Sequence, residues 1–206
     1  MRIAGRFVFF LTVGFLLVAT RPSGAETVEL SYPKGFYLGG DAIANIPEAD
    51  LRGDFAKVKP GGGLDLKIGY NFPINLALEM ELGFSGHQVE KEDAGIGFLG
   101  FDLRYFPFSF SDRPLYPFIR FGAGWYALSI NNFQDGLGRT GDLKLKGKGV
   151  DIGIGFDYYF DPHVSFEAGL TQRFVTYDDL DFLGASLTND VKGHMTSLSV
   201  GAKYHF

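Results

Sequence analysis

The feature that most constrains this fold is the alternation of apolar with small or charged residues in eight segments along the chain. Neighbouring side chains of an extended strand point to opposite faces, so a period of two indicates β-strands. The 29 glycines reinforce this assignment, because each glycine in a helix interior costs about 1 kcal/mol relative to alanine. The segments span about 36–46, 62–72, 75–87, 96–106, 116–130, 149–160, 164–177 and 194–206. An all-β fold follows.

The connections between these segments differ in length in a regular way. Tight links follow the second and sixth segments, at Pro73-Ile74 and Asp161-Pro162. The links after the odd-numbered segments are predicted to be long, polar and mobile, at about 47–61, 88–95, 131–148 and 178–193. Short turns on one rim with long loops on the other are typical of a transmembrane barrel. Segments of this length also match the ~9–11 residues that a tilted membrane-crossing strand needs.

The N-terminal 25 residues have the three parts of a secretory signal peptide. Arg2 and Arg6 are basic, residues 7–19 are apolar, and small residues precede Glu26. We predict cleavage after Ala25, since an uncleaved anchor helix would need about 20 apolar residues. The predicted organisation is a signal peptide over 1–25, a periplasmic segment over 26–34 and a barrel over 35–206.

Composition excludes several function classes. The chain has no cysteine, which excludes a disulfide scaffold, a cysteine metal site and a thiol nucleophile. The net charge of −5 argues against a nucleic-acid partner, which requires clustered basic residues. The histidines are scattered and no acidic run has the spacing of a calcium loop, so we expect no metal and no cofactor. The residues weighed for a metal are His87, His163, His194, His205, Glu48, Asp50, Asp54, Asp178, Asp179 and Asp181.

Alternation alone does not decide which face of the barrel is inside. A soluble ligand-binding barrel would bury the apolar face, whereas a membrane barrel buries the polar one. Glycines share the polar face with charges of both signs, which favours a crowded interior and permits an ion-pair network. The interior charges predicted on this basis are Asp41, Asp65, Lys67, Glu79, Glu81, Asp102, Arg104, Arg120, Asp151, Asp157, Glu167, Arg173 and Lys203. Eight strands enclose an interior that side chains just fill, so no wide pore is expected.

Aromatic residues concentrate at the tight-turn ends of the segments. This distribution predicts an aromatic girdle at one membrane interface. The residues concerned are Phe36, Tyr37, Tyr70, Phe72, Tyr105, Phe106, Tyr116, Tyr158, Tyr159, Phe160, Phe166, Tyr204 and Phe206.

Three stretches carry a family resemblance: the terminal Tyr204-His205-Phe206, the opening Gly35-Phe36-Tyr37-Leu38-Gly39-Gly40 and the central Gly122-Ala123-Gly124-Trp125-Tyr126. With them, residues 35–206 resemble the small eight-stranded outer-membrane barrels typified by outer membrane protein X and the transmembrane part of outer membrane protein A. The resemblance implies an eight-stranded antiparallel up-and-down transmembrane β-barrel in a Gram-negative outer membrane. It also implies that Tyr204 and Phe206 act as a signal to the barrel-assembly machinery. Outer-membrane lipid and lipopolysaccharide are the expected surroundings.

The function indicated is structural, adhesive or loop-mediated binding of an unidentified extracellular ligand. Three alternatives stay open: a narrow porin-like channel for small polar solutes, a lipid A-modifying enzyme and a secreted soluble barrel. For an enzyme, Ser85 and His87 with Glu81 share one strand face, and His163 precedes Ser165 by two residues. Residues at i and i+2 lie ~6.5–7 Å apart along a strand, so we expect no direct Ser85–His87 bond and assign no catalytic residue.

Overall fold

The computed structural model describes residues 33–49, 58–89, 92–108, 114–134, 140–182 and 185–206. Within these ranges the chain forms eight strands. They are β1 (Gly35–Ala49), β2 (Gly61–Asn71), β3 (Leu76–Val89), β4 (Glu92–Tyr105), β5 (Leu115–Gln134), β6 (Thr140–Tyr159), β7 (Val164–Phe182) and β8 (Ala185–His205). Each strand pairs antiparallel with the next and β8 pairs with β1, which closes the barrel. The predicted all-β, up-and-down barrel is confirmed, and closure gives each strand of the membrane-crossing part a backbone partner on both sides.

Three of the four predicted long loops are wrong in extent. The segments 88–95, 131–148 and 178–193 belong largely to strands. The gaps between these strands are only 90–91, 135–139 and 183–184. Strands β5 to β8 contain 19 to 21 residues each, about twice the length that a tilted membrane crossing requires. The barrel wall therefore continues past the membrane at one end, hereafter the extended end; the opposite rim is the short-turn end.

The outer wall of the barrel is apolar over its membrane-crossing part. Large side chains such as Leu66, Phe121, Ile154 and Val200 are half-exposed or more on this surface. On a soluble protein such a continuous apolar band would promote aggregation, whereas lipid acyl chains cover it in a membrane. The apolar face of the alternating pattern therefore points outward and the polar face points into the lumen.

The short-turn end carries part of the predicted aromatic girdle. Phe36, Tyr70 and Phe72 form edge-to-face pairs on the outer wall, with ring centroids 4.9 Å apart, and Tyr204 and Phe206 form another. The girdle prediction is wrong for four residues, which point into the lumen instead because they occupy the inward parity of their strands: Tyr37, Phe106, Tyr116 and Tyr159. In the link between β2 and β3, Asn75 adopts a positive φ of 57°, a conformation that asparagine tolerates in tight turns.

The predicted signal peptide, residues 1–25, lies outside the described residues, as does most of the predicted periplasmic segment. Both stay predictions. Among the residues that the structure describes, no helix is long and apolar enough to cross a membrane.

Candidate functional site

The lumen holds all thirteen charged residues named from the sequence. Each is buried, and none is more than 6 % exposed. They point inward because, along each strand, they alternate with the apolar residues that form the outer band. Glycine makes room for them: a Cβ on Gly122 would overlap the Asp102 carboxylate. We call this cluster the ionic layer.

Arg104 organises the ionic layer near the short-turn end. Its guanidinium lies 3.2 Å from Glu79, 3.1 Å from Asp157 and 3.0 Å from Glu167. Lys203 adds contacts to Asp157, at 3.3 Å, and to Glu167. Shared partners join these side chains from β3, β4, β6, β7 and β8 into one network. A network of this kind fixes the relative positions of strands that are not neighbours in the sheet.

Arg120 and Arg173 form a second group around Glu81. Arg120 donates to Glu81 and, at 2.7 Å, to Asp102. Arg173 donates to the other Glu81 oxygen at 2.9 Å and also to the Ser197 hydroxyl. A single carboxylate on β3 is thus held by arginines from β5 and β7.

Lys67 connects Asp41 of β1 with Glu167 of β7, which also contacts Arg104. Its ammonium donates to Asp41 at 2.5 Å and to Glu167 at 2.6 Å. Asp65 is different: its nearest cation, Lys67, is 4.0 Å away, and neither of its carboxylate oxygens has a hydrogen-bond partner within the described residues. In the described lumen, eight carboxylates face five basic groups, so acid is in excess and Asp65 carries part of that excess.

Three carboxylates of this layer have oxygens close enough to resemble metal ligands. Those of Glu79, Glu81 and Asp102 offer oxygens within 4.8 Å of one another. The same groups already accept hydrogen bonds from Arg104 and Arg120. These three carboxylates therefore fit a buried ion-pair network, in which hydrogen bonds from arginines balance their negative charge.

The lumen toward the short-turn end is closed by an aromatic layer. Its members are Tyr37, Ala77, Phe106, Tyr116, Phe118 and Tyr159. Tyr37 joins this layer to the ionic one by donating to Glu79 at 2.7 Å. The Arg104 guanidinium stacks 3.7 Å from the centre of the Phe118 ring, a cation–π geometry that compensates a desolvated guanidinium.

The lumen toward the extended end is mostly apolar, with the polar Asn45, Ser85 and His87 at the same level. This apolar layer comprises Ile43, Val58, Val89, Ala94, Ile96, Phe98, Tyr126, Leu128, Ile130, Leu143, Leu145, Val175, Tyr177 and Met195. Burial raises the pKa of the Tyr177 phenol to about 12, as expected for a group removed from water. Sequence reasoning missed this layer because it expected one constant apolar face along each strand, and because it treated 88–95 and 131–148 as loops although they contain Val89, Ala94, Leu143 and Leu145. The available signal was a change of phase: in β6 the apolar residues are Leu143 and Leu145, then Val150, Ile152 and Ile154.

The serine–histidine contact of β3 exists, contrary to expectation. Ser85 Oγ lies 2.8 Å from His87 Nε2. The ~6.5 Å spacing separates backbone positions, and the imidazole leans along the strand far enough to span it. His87 Nδ1 is 2.9 Å from the Lys59 carbonyl oxygen, so Nδ1 carries the proton and Nε2 accepts from the serine. Glu81 bonds arginines instead of His87, and the pair is enclosed in the lumen, each residue only 5 % exposed.

The second candidate pair is not assembled. His163 lies in the exposed link between β6 and β7, where its ring nitrogen contacts the backbone oxygen of His205 at 3.0 Å. Ser165 points into the lumen and its Oγ lies 2.9 Å from Nε2 of His205. Ser165 therefore pairs with the histidine of the neighbouring strand β8.

The acidic runs weighed as cation sites lie in different settings. Asp50 and Asp54 are outside the described residues, and for Glu48 only the backbone is described. Asp179 and Asp181 belong to β7 rather than to a loop, and they face Lys146 and Lys144 of β6 across the sheet. Each of these two aspartates therefore has a lysine as its register partner on β6.

Comparison with known proteins gives the architecture a family. The model of the outer membrane protein beta-barrel domain matches residues 10–206. The chain belongs to this family. It is accordingly an integral protein of the Gram-negative outer membrane, and in such barrels the parts of the hairpins that project beyond the membrane face outward. The extended end is therefore the external end. None of the curated proteins compared with the chain matches its sequence.

Solved structures of small outer-membrane barrels share the fold. Neisserial surface protein A is 18 % identical over 85 % of this chain and 100 % of its own, with a TM-score of 0.60. OprG from Pseudomonas aeruginosa is 16 % identical over 87 % and 99 %, with a TM-score of 0.59. Ail, the attachment invasion locus protein of Yersinia pestis, is 15 % identical over 84 % and 99 %, with a TM-score of 0.52. At these identities the likeness concerns the fold alone.

Proposed function

We propose that this protein is a closed outer-membrane barrel with a structural and binding role, in which the external wall serves as a rigid platform. The observation that carries the proposal is the filled lumen. Aromatic, ionic and apolar layers follow one another from the periplasmic to the external end. A polar solute would have to pass the apolar layer after displacing ion pairs from a lumen that eight strands leave just wide enough for side chains.

Conductance separates the closed barrel from a channel. We expect the refolded protein in a planar lipid bilayer to give no stable conductance, while a general porin added to the same bilayer gives large steps. A large, permanently open conductance would refute the proposal. A small cation-selective conductance would support the narrow-channel alternative, which the excess of carboxylates over basic groups in the lumen favours.

A binding role rests on the external extension of β5 to β8. These strands hold their shape through the apolar layer, so side chains on the external outer face are presented in fixed positions. Among the structural neighbours, Ail is described as an attachment protein and has been crystallised with the heparin analogue sucrose octasulfate. We expect bacteria displaying this protein to adhere to host-cell or matrix surfaces more strongly than bacteria without it. Equal adhesion after shortening the external hairpins would contradict this role.

We further propose that the protein is not an enzyme. Within the described residues no carboxylate orients His87, and the Ser85–His87 pair faces the filled lumen rather than the outer leaflet. Lipid A from cells producing the protein should therefore have an unchanged mass. A change in acylation that disappears in Ser85→Ala or Ser165→Ala would overturn this proposal.

The C-terminal strand is proposed as the assembly signal. Tyr204 and Phe206 both lie on the outer wall, and the Phe206 amide donates to the Phe36 carbonyl across the β1–β8 seam at 3.0 Å. Both rings are thus exposed beside the seam at which β8 pairs with β1 to close the barrel. We expect Phe206→Ala to lower the amount of folded protein in the outer membrane, measured by heat-modifiable migration in gels, and Phe36→Ala to lower it less. Unchanged assembly of Phe206→Ala would exclude this role.

A further inference from the structure

A groove of about 400 Å³ crosses the outer wall of the barrel on strands β6, β7 and β8. It lies outside the lumen, at the level where the apolar band gives way to the external extension. The side chains that define it are Lys148, Val150, Phe174, Thr176, Lys192 and His194. They form two rows, one above the other.

The outer row of the groove is cationic. In the sheet register Lys148 faces Thr176, and Thr176 faces Lys192. The two lysines are therefore two strand spacings apart, about 10 Å, with a hydroxyl between them. All three side chains are exposed, and in the described part of the chain neither lysine has an ion-pair partner.

The other lysines of β6 differ in the residues that lie opposite them in the sheet. Lys146 faces Asp179 and Lys144 faces Asp181, so each has an acidic residue opposite on β7. In the row nearest the membrane, the residue opposite the β6 lysine is Thr176 instead of an aspartate, and β8 contributes a second lysine. Positive charge is thus left uncompensated at one depth, directly above the apolar band.

The inner row of the groove is apolar and aromatic. Val150, Phe174 and His194 lie in register, about 7 Å closer to the membrane centre. The Phe174 and His194 rings meet edge to face, with centroids 5.3 Å apart. Below Val150 the same face continues into the exposed Ile152 and Ile154, so the floor of the groove is continuous with the lipid-facing wall.

We propose that this groove binds the phosphorylated glycolipid of the outer leaflet, the lipid A part of lipopolysaccharide. A phosphate group fits between Lys148 and Lys192 with the Thr176 hydroxyl as an additional donor, and acyl chains lie along Val150 and Phe174. Because the cations stand directly above an apolar floor, the site fits an amphiphile better than a soluble polyanion. The proposal does not depend on whether the lumen conducts, since the groove is on the opposite side of the wall.

Native mass spectrometry of the whole protein in detergent tests the proposal, with bis-phosphorylated lipid A as the probe. A lysine near an anionic lipid surface contributes about 1 kcal/mol, so K148A/K192A should weaken binding by about 10- to 30-fold. The matched control is K144A/K146A, which removes the same charge from the compensated rows and should leave the affinity nearly unchanged. Heat-modifiable migration establishes that each variant is folded.

Further probes identify the ligand class. Lipid A stripped of its phosphates should bind the wild type as weakly as intact lipid A binds K148A/K192A. F174S should weaken lipid A binding and leave sucrose octasulfate binding unaffected. An equal loss in both double variants would reveal unspecific charge attraction and overturn the proposal. Sucrose octasulfate binding as tight as that of lipid A, with the same dependence on Lys148 and Lys192, would assign the groove to a soluble polyanion instead.

Discussion

The membrane-crossing part of the barrel and its external extension have opposite polarity. In the first, apolar side chains face outward and charges fill the lumen; in the second, Leu143, Leu145 and Val175 fill the lumen while lysines and aspartates face outward. The surroundings explain the inversion, since lipid covers the wall at one level and water at the other. One continuous sheet thus combines a closed membrane barrel with a water-exposed extension formed mainly by β5 to β8. The two regions should respond to different perturbations.

The largest effect is expected from removing one cation of the ionic layer. Arg104→Met leaves Glu79, Asp157 and Glu167 without their shared guanidinium. Deleting one partner of a buried ion pair costs about 3–5 kcal/mol, because an uncompensated charge stays in the interior. Urea unfolding in phospholipid vesicles measures this loss of stability.

Arg104→Lys serves as the control, because it keeps the positive charge but removes the planar guanidinium with its several donors. It should restore part of the stability, because a lysine keeps the charge but cannot bond three carboxylates at once. An Arg104→Met barrel as stable as the wild type would show that the ionic layer is dispensable. The membrane-crossing part would then not depend on buried charges for its stability.

The external apolar layer should be separable from the membrane-crossing part. Leu128→Ala removes a buried side chain from it, which costs about 2–5 kcal/mol when the surroundings do not collapse. We expect faster amide hydrogen exchange confined to the external ends of β4 to β6, with heat-modifiable migration retained. Leu103→Ala, which truncates the same residue type on the exposed outer wall, should leave exchange in the extension unchanged. Exchange that rises equally over the whole barrel would mean that the two regions are one cooperative unit.

The sequence predicted the membrane-crossing part well because one physical pattern runs through it. Period-two alternation placed Glu79, Arg120 and Glu167 on the inward face without knowledge of their partners. The partners themselves were not predictable, since Arg104 joins residues up to 63 positions away in the chain and such contacts depend on barrel closure. The external layer was missed for another reason: the apolar residues change parity between Leu145 and Val150, and a search for one constant phase treats such a change as a loop.

Neutralising one of the excess acidic groups of the lumen should have a smaller effect on stability, and of opposite sign. Asp65 lies beside Glu81, and neither of its oxygens accepts a hydrogen bond from a described residue. Asp65→Asn should therefore stabilise the barrel by on the order of 1 kcal/mol, because an amide can donate to a neighbouring carboxylate. The matched substitution Glu81→Gln should destabilise it, since Arg120 and Arg173 both lose a carboxylate. Urea midpoints that move in the same direction for both variants would argue against a specific excess at Asp65.

The smallest effect is expected where a lysine and an aspartate lie opposite each other on a surface that faces water. Lys146 lies opposite Asp179 on the external wall, and exposed pairs of this kind contribute about 0–1 kcal/mol because water screens them and flexible side chains must be ordered. Lys146→Ala should therefore shift the urea midpoint by no more than the measurement error, against a loss of several kcal/mol for Arg104→Met. The contrast isolates burial as the cause, since both substitutions remove one positive charge opposite a carboxylate on a neighbouring or facing strand. If Lys146→Ala also lowers the free energy of unfolding by several kcal/mol, the external pairs are shielded from water and the extension is not the water-exposed region inferred from its polarity.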